Sequence, residues 1–243
     1  MKGVVLAGGL GTRLHPLTKI TNKHLLPIFD KPMIFYPIQT LVDAGIRDLL
    51  IVTGGNDAGD FLRLLGNGRA FGLPHINYTH QEGEGGIADA LHLAEHFAAG
   101  EKIVVMLGDN VIEKDIRRGV AAFRKQKRGA RIYLKEVPNP QEYGVAELRG
   151  KRVARIVEKP KRPKSNLAVI GIYMYDPGVF DIIRTLKPSR RGELEITDVN
   201  NAYISCHQLA YEILEGWWAD AGGSPQKLLE TSIRIARQRG LKL

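Results

Sequence analysis

The sequence predicts an α/β fold in which a mainly parallel sheet is covered by helices on both faces. Three observations carry this reading. Short β-branched runs alternate with helical patterns through the first half of the chain. The runs are apolar at nearly every position, as strands buried on two faces are. A glycine-rich turn follows the first run directly, where α/β sheets bind ligands at the carboxyl ends of their strands.

Gly3–Ala7 reads as a buried strand. Lys31–Ala44 follows as a helix with Pro32 tolerated in its first turn and Gly45 as its stop. Leu49–Thr53 is a strand, Asp57–Leu65 a helix and His75–Thr79 a strand. Gly86–Ala99 places Ile87, Leu91, Ala94 and Ala98 on one helical face, and Lys102–Leu107 is the next apolar strand. The second half changes character: Ala130–Val137, Val145–Leu148, Arg152–Glu158 and Ala168–Tyr175 read as four strands, several separated only by turns. Helices at Gly178–Leu186 and Thr197–Ser205, a strand at Gln208–Leu214 and a helix at Pro225–Arg239, with Leu229, Ile233 and Ala236 in register, complete the chain. With no repeat or long linker, residues 1–243 read as one domain, with a nucleotide-binding half over about 1–128 and a substrate-binding half over about 129–243.

A 243-residue chain that is 44% hydrophobic and 25% charged has enough apolar surface for its own core, which excludes a disordered tail or a disulfide scaffold. Its net charge of +9 favours anionic partners such as phosphorylated metabolites. The single cysteine, Cys206, cannot form an internal disulfide and is expected to be a small buried apolar residue. The N-terminal apolar stretch is too short for a signal peptide and no run reaches the length of a membrane helix, so a cytoplasmic protein is expected, with no membrane partner.

The strongest local signal is Gly8-Gly9-Leu10-Gly11-Thr12-Arg13. Glycines let backbone N–H groups approach a phosphate closely, and Arg13 adds a planar, permanently charged donor. The loop lacks the third glycine of a dinucleotide fingerprint, because position 14 is Leu14, and lacks the Gly-Lys-Ser/Thr of a Walker loop. Asp109, between Gly108 and Asn110 at a strand end, is a natural magnesium ligand or a turn residue; Asp220 could add a second carboxylate to the same ion or precede the last helix as a turn. Glu158 can accept from sugar hydroxyls, and Lys159 can hold a monophosphate or be solvated with the basic run that follows it. The acids of Glu193–Asp198 suit a helix entry. None of the seven histidines sits in a recognisable nucleophile–base arrangement, which fits a reaction whose substrate is its own nucleophile.

Taken together, these segments resemble the sugar nucleotidyltransferases. The carriers are Leu6-Ala-Gly-Gly-Leu-Gly-Thr-Arg-Leu-His-Pro-Leu-Thr18, Asn22-Lys-His-Leu-Leu-Pro27, Asp30-Lys-Pro-Met-Ile34, Tyr36-Pro37, Leu107-Gly-Asp-Asn110, Tyr143-Gly-Val145, Glu158-Lys-Pro160, Lys164-Ser-Asn166 and Gly192-Glu-Leu-Glu-Ile-Thr-Asp-Val-Asn200. The resemblance implies a Rossmann-like α/β fold and a Mg²⁺-dependent reaction joining a nucleoside triphosphate to a sugar 1-phosphate with release of pyrophosphate. In the best-matching members the substrates are dTTP and glucose 1-phosphate, giving dTDP-glucose for polysaccharide synthesis. By the same resemblance Gly8, Gly11 and Arg13 hold the triphosphate, and Arg13 and Lys23 offset charge as pyrophosphate leaves. Gln81 and the backbone of Gly86 meet the base. Asp109 and Asp220 bind Mg²⁺. Gly144, Glu158 and Gly171 contact the sugar, and Lys159 its phosphate. A homo-oligomer is expected, of the short form that lacks a C-terminal helical extension.

The chain departs from the usual pattern at three places. Asp89 stands where members using dTTP usually carry glutamine, Trp218-Ala-Asp-Ala-Gly-Gly223 loses two hydroxyls, and Ile170 stands where a threonine commonly lies near the sugar. UTP or another hexose 1-phosphate is therefore the alternative within the class, and a sugar-nucleotide sensor without turnover is the alternative outside it. No nucleic-acid partner is expected, because the basic residues are dispersed and no recognition module is present.

Overall fold

The computed structural model describes residues 1–55 and 57–242. The first half builds β1 (Lys2–Ala7), β2 (Pro27–Ile28), β3 (Lys31–Pro32), α1 (Phe35–Asp43), β4 (Leu49–Gly54), α2 (Ala58–Leu65), β5 (Ile76–Gln81), α3 (Ile87–His92), α4 (Glu95–Ala98), β6 (Ile103–Leu107), β7 (Asn110–Ile112) and α5 (Arg117–Lys125). The second half adds β8 (Ala130–Glu136), β9 (Gly144–Arg149), β10 (Arg152–Glu158), β11 (Leu167–Tyr175), α6 (Val179–Thr185), α7 (Ile196–Ser205), β12 (Leu209–Ile213), β13 (Trp218–Asp220) and α8 (Pro225–Gln238).

One nine-stranded sheet runs through both halves in the order β10-β9-β11-β6-β1-β4-β5, with β8 and β12 joined through β11. Strands β5, β4, β1 and β6 are parallel. Antiparallel β11 joins the halves by pairing with β6 through Ile172–Tyr175. Successive residues of β1 feed opposite faces: Val4 and Leu6 enter one core cluster, Val5 and Ala7 the other. That two-sided burial is why these strands are apolar throughout. A third cluster (Ile28, Met33, Val111, Ala221 and Ile235) seats α8 on the two small ribbons β2-β3 and β7-β13. Among the described residues no helix is long and apolar enough to cross a membrane.

Four local expectations change. The helix expected over Lys31–Ala44 begins at Phe35, because Lys31–Pro32 pairs with Pro27–Ile28 and the amides of Met33 and Ile34 bond Leu26 and His24. The helix expected over Gly86–Ala99 is two short helices. In α8 the buried positions are Thr231, Ile235 and Ala236, while Leu229 is 62% exposed. Cys206 ends α7 as an exposed free thiol rather than a core residue, since the helix C-terminus there faces solvent.

Candidate active site

A cleft of about 360 Å³ opens at the carboxyl ends of β1, β5 and β6. Strand order reverses there between β1's two neighbours, the position at which open α/β sheets bind ligands. All twelve residues singled out from the sequence line this cleft: Gly8, Gly11, Arg13, Lys23, Gln81, Gly86, Asp109, Gly144, Glu158, Lys159, Gly171 and Asp220.

The glycine-rich loop leaves β1 and turns at Gly11, whose φ of 69° favours a residue without a side chain. A Cβ there would also lie 2.9 Å from the Cβ of Lys23. Lys23 follows Asn22, whose Oδ1 accepts from the backbone N–H of His24 and caps the turn. Its stem runs past Gly9, and its Nζ donates to Asp109 Oδ2 at 2.5 Å. Arg13 is exposed at the cleft rim and hydrogen-bonds to no side chain or carbonyl among the described residues.

Asp109 and Asp220 meet because β7 and β13 form a ribbon in which Asn110 faces Asp220, and the Ala221 amide donates to the Asp109 carbonyl. Buried Asn110 organises this corner. Its Oδ1 accepts from Trp218 Nε1 (2.6 Å) and Gly171 N (3.2 Å), while its Nδ2 donates to Asp109 Oδ1. Burial, the largest single influence, opposes ionisation of Asp109, but the charge of Lys23, the field of His24 and the hydrogen bonds from Lys23 and Asn110 together outweigh it and hold the carboxyl well below the usual range. Asp220 goes the other way. Burial and then the Asp109 charge push it up to about 6, against the pull of Lys23, Lys227 and Arg13. A buried and a half-buried carboxylate in mutual repulsion beside an open cleft make a donor set that a hard divalent cation satisfies, with phosphate oxygens and water completing its shell.

His24, in the same wall, is 2% exposed, and its Nδ1 lies 2.7 Å from Asn22 Oδ1. A carbonyl oxygen requires a donor, so the neutral ring carries its proton on Nδ1. Burial first, then the charge of Lys23, lowers its pKa to about 3, against 6.5 when unfolded. Between these values the unfolded chain binds a proton that the folded chain refuses, so stability falls as pH falls below 6.5, by about 2 kcal/mol at pH 5. His24→Gln is expected to flatten that fall, measured by chemical denaturation at pH 7.5 and pH 5.

The second half closes the far wall. Glu158 Oε2 accepts from Thr197 Oγ1 at 2.6 Å. Lys159 sits at a φ of 40°, an uncommon conformation for a side chain of its size, with its amide bonded to the Tyr143 carbonyl. Gly171 lies where the β11–β8 register shifts, and a Cβ there would stand 2.6 Å from the Leu107 side chain. Ordinary strand alternation turns Val169, Gly171 and Tyr173 to the cleft and sends Ile170, with Ile172 and Met174, into the core on the opposite face, where Ile170 is fully buried. The departure at Ile170 therefore does not reach the cleft.

Arg191 also lines the cleft and was not among the residues singled out. Its guanidinium pairs bidentately with Glu195 and lies 3.5 Å from Glu158 and 3.3 Å from Glu193. It stands immediately before the Gly192–Asn200 motif. The local signal was three acids closely following one arginine, which in sequence reads as a helix entry.

The nucleotidyl transferase family model matches residues 2–238. A glucose-1-phosphate thymidylyltransferase of Neisseria meningitidis serogroup A is 43% identical over 226 residues, covering 91% of this chain and 78% of that protein. A Bacillus anthracis structure assigned as a glucose-1-phosphate thymidylyltransferase, in complex with sucrose, superposes with a TM-score of 0.92 at 46% identity, over 100% of this chain and 97% of the other. A UDP-glucose pyrophosphorylase complexed with UDP-glucose superposes with a TM-score of 0.86 at 27% identity, over 98% and 99% of the two chains. With its parallel core, its cleft at the strand ends and a family match over nearly its full length, the chain belongs to the nucleotidyl transferase family.

Proposed function

We propose that this enzyme joins dTTP to glucose 1-phosphate, giving dTDP-glucose and pyrophosphate. The observation that carries the reading is the meeting of a cationic glycine-rich loop and a carboxylate pair in one cleft, linked by the Lys23–Asp109 ion pair. The relatives' names supply the substrates.

The sugar phosphate oxygen attacks the α-phosphorus in line, a new P–O bond forms, and the bond to the β-phosphate oxygen breaks. Gly8 and Gly11 admit the triphosphate to backbone amides, and Arg13 and Lys23 neutralise charge on the departing pyrophosphate. Gln81 and Gly86 receive the base. Gly144, Glu158 and Gly171 orient the sugar, with Lys159 on its phosphate. Asp109 and Asp220 would hold Mg²⁺, which polarises the α-phosphate when bound. No protein nucleophile is needed, so the chain acts by proximity and preorganised charge.

The test is pyrophosphate release with Mg²⁺ and glucose 1-phosphate, comparing dTTP, UTP, CTP, ATP and GTP at equal concentrations. Release led by dTTP is the expected result. Release led by UTP keeps the mechanism and changes the substrate. Nucleotide binding without release from any of the five overturns the proposed reaction in favour of a sensor.

A further inference from the structure

We propose that Asp89 is a positioning residue that fixes Gln81 as a hydrogen-bond acceptor, so that the cleft selects pyrimidines carrying an N3–H, thymine and uracil, over cytosine. The inference rests on the reading that Gln81 faces the base.

Gln81 ends β5 and is 5% exposed. Its Nε2 donates to Asp89 Oδ2 at 2.7 Å and to the Gly86 carbonyl at 3.1 Å. A carboxylate and a peptide carbonyl both accept, so only the NH₂ end of the amide can face them. Reversing the amide would set oxygen against oxygen at both contacts. Both amide protons are therefore engaged, and Oε1 alone is left for a ligand. Among the described residues Oε1 receives no hydrogen bond, and it lies over the end of β1, where a Cβ on Gly8 would come within 2.6 Å of it. Asp89 occupies the first turn of α3, where the helix dipole favours a carboxylate. The glutamine usual at this position could present either end of its own amide to Gln81, and the carboxylate removes that choice.

Thymine and uracil offer N3–H to such an acceptor. Cytosine presents a bare N3, which would leave two lone pairs facing each other in a buried site, a mismatch worth roughly tenfold or more in affinity. Asp89 itself does not line the cleft, so it acts only through Gln81.

Equilibrium titration of the intact protein with dTTP, dUTP and dCTP tests this, using the wild type, Asp89→Leu and Asp89→Asn. The wild type is expected to prefer dTTP to dCTP by roughly tenfold or more. In Asp89→Leu only the Gly86 carbonyl still opposes a turn of the Gln81 amide, and that ratio falls several-fold, mainly through tighter dCTP binding. The dTTP-to-dUTP ratio stays unchanged, because both bases carry N3–H. Asp89→Asn, which still offers one acceptor, retains part of the preference. A wild type without the preference overturns the inference. So does an Asp89→Leu protein with the wild-type ratio, or one in which all three nucleotides weaken equally, as a loosened loop would give. A wild type that binds dTTP selectively but releases no pyrophosphate overturns the proposed reaction and leaves the inference standing; one that binds none of the three overturns both.

Discussion

Replacing Arg13 by alanine is expected to lower kcat/KM for pyrophosphate release by about 10²–10³-fold, the usual effect of removing one preorganised donor. Arg13 is exposed on the single helical turn Thr12–Leu14 and makes no ion pair within 4 Å among the described residues. Its guanidinium is therefore available to phosphate oxygens, and its removal leaves no buried group unpaired. Thermal unfolding should then stay within about 0.5 kcal/mol of the wild type, as for an ordinary surface change. Arg13→Lys should recover part of the rate, because it restores the charge without the two-pronged geometry. Unchanged turnover in Arg13→Ala would remove the arginine from the mechanism.

Asp109→Asn is expected to act on three readouts together. Pyrophosphate release falls by at least about 10²-fold, as an oxygen ligand and its charge leave the site. The Mg²⁺ concentration for half-maximal rate rises. Stability falls, because Lys23 loses the partner 2.5 Å away while both side chains remain mostly buried. Removing one member of a buried pair costs about 3–5 kcal/mol in general. The loss here should be smaller, because Asp109 also repels Asp220, whose carboxyl should return toward its ordinary range once the neighbour is neutral. A metal titration identical to the wild type would exclude Asp109 as a ligand. A stability loss at or above the general value would show that the Asp109–Asp220 repulsion is negligible.

Elements whose signal is local were legible in the sequence. The strands β1, β4, β6 and β11 are continuous apolar runs because each is buried on two faces, and composition records that directly. Gly11 was legible because its loop follows a strand without an intervening turn. The short strands β7 and β13 were not, because three residues have no period to read and their partners lie more than a hundred positions apart. The start of α1 moved for a similar reason: Lys31–Pro32 is helix-compatible in isolation, and a two-residue ribbon with Pro27–Ile28 decides otherwise.

By itself the sequence determined that strands and helices alternate, that a phosphate-compatible loop ends the first strand, and which acids lie at strand ends. These depend on neighbours within a few residues. The tertiary structure alone decided that Ile170 faces the core and Gly171 the cleft, that Arg191 joins Glu158, that Lys23 neutralises Asp109 while Asp220 is left raised, and that Asp89 orients Gln81. The physical reason is that which face of a strand meets the cleft, and the charge a carboxylate feels, are set by groups that folding brings into contact. Lys23 and Asp109 are 86 residues apart in the chain and 2.5 Å apart in the fold.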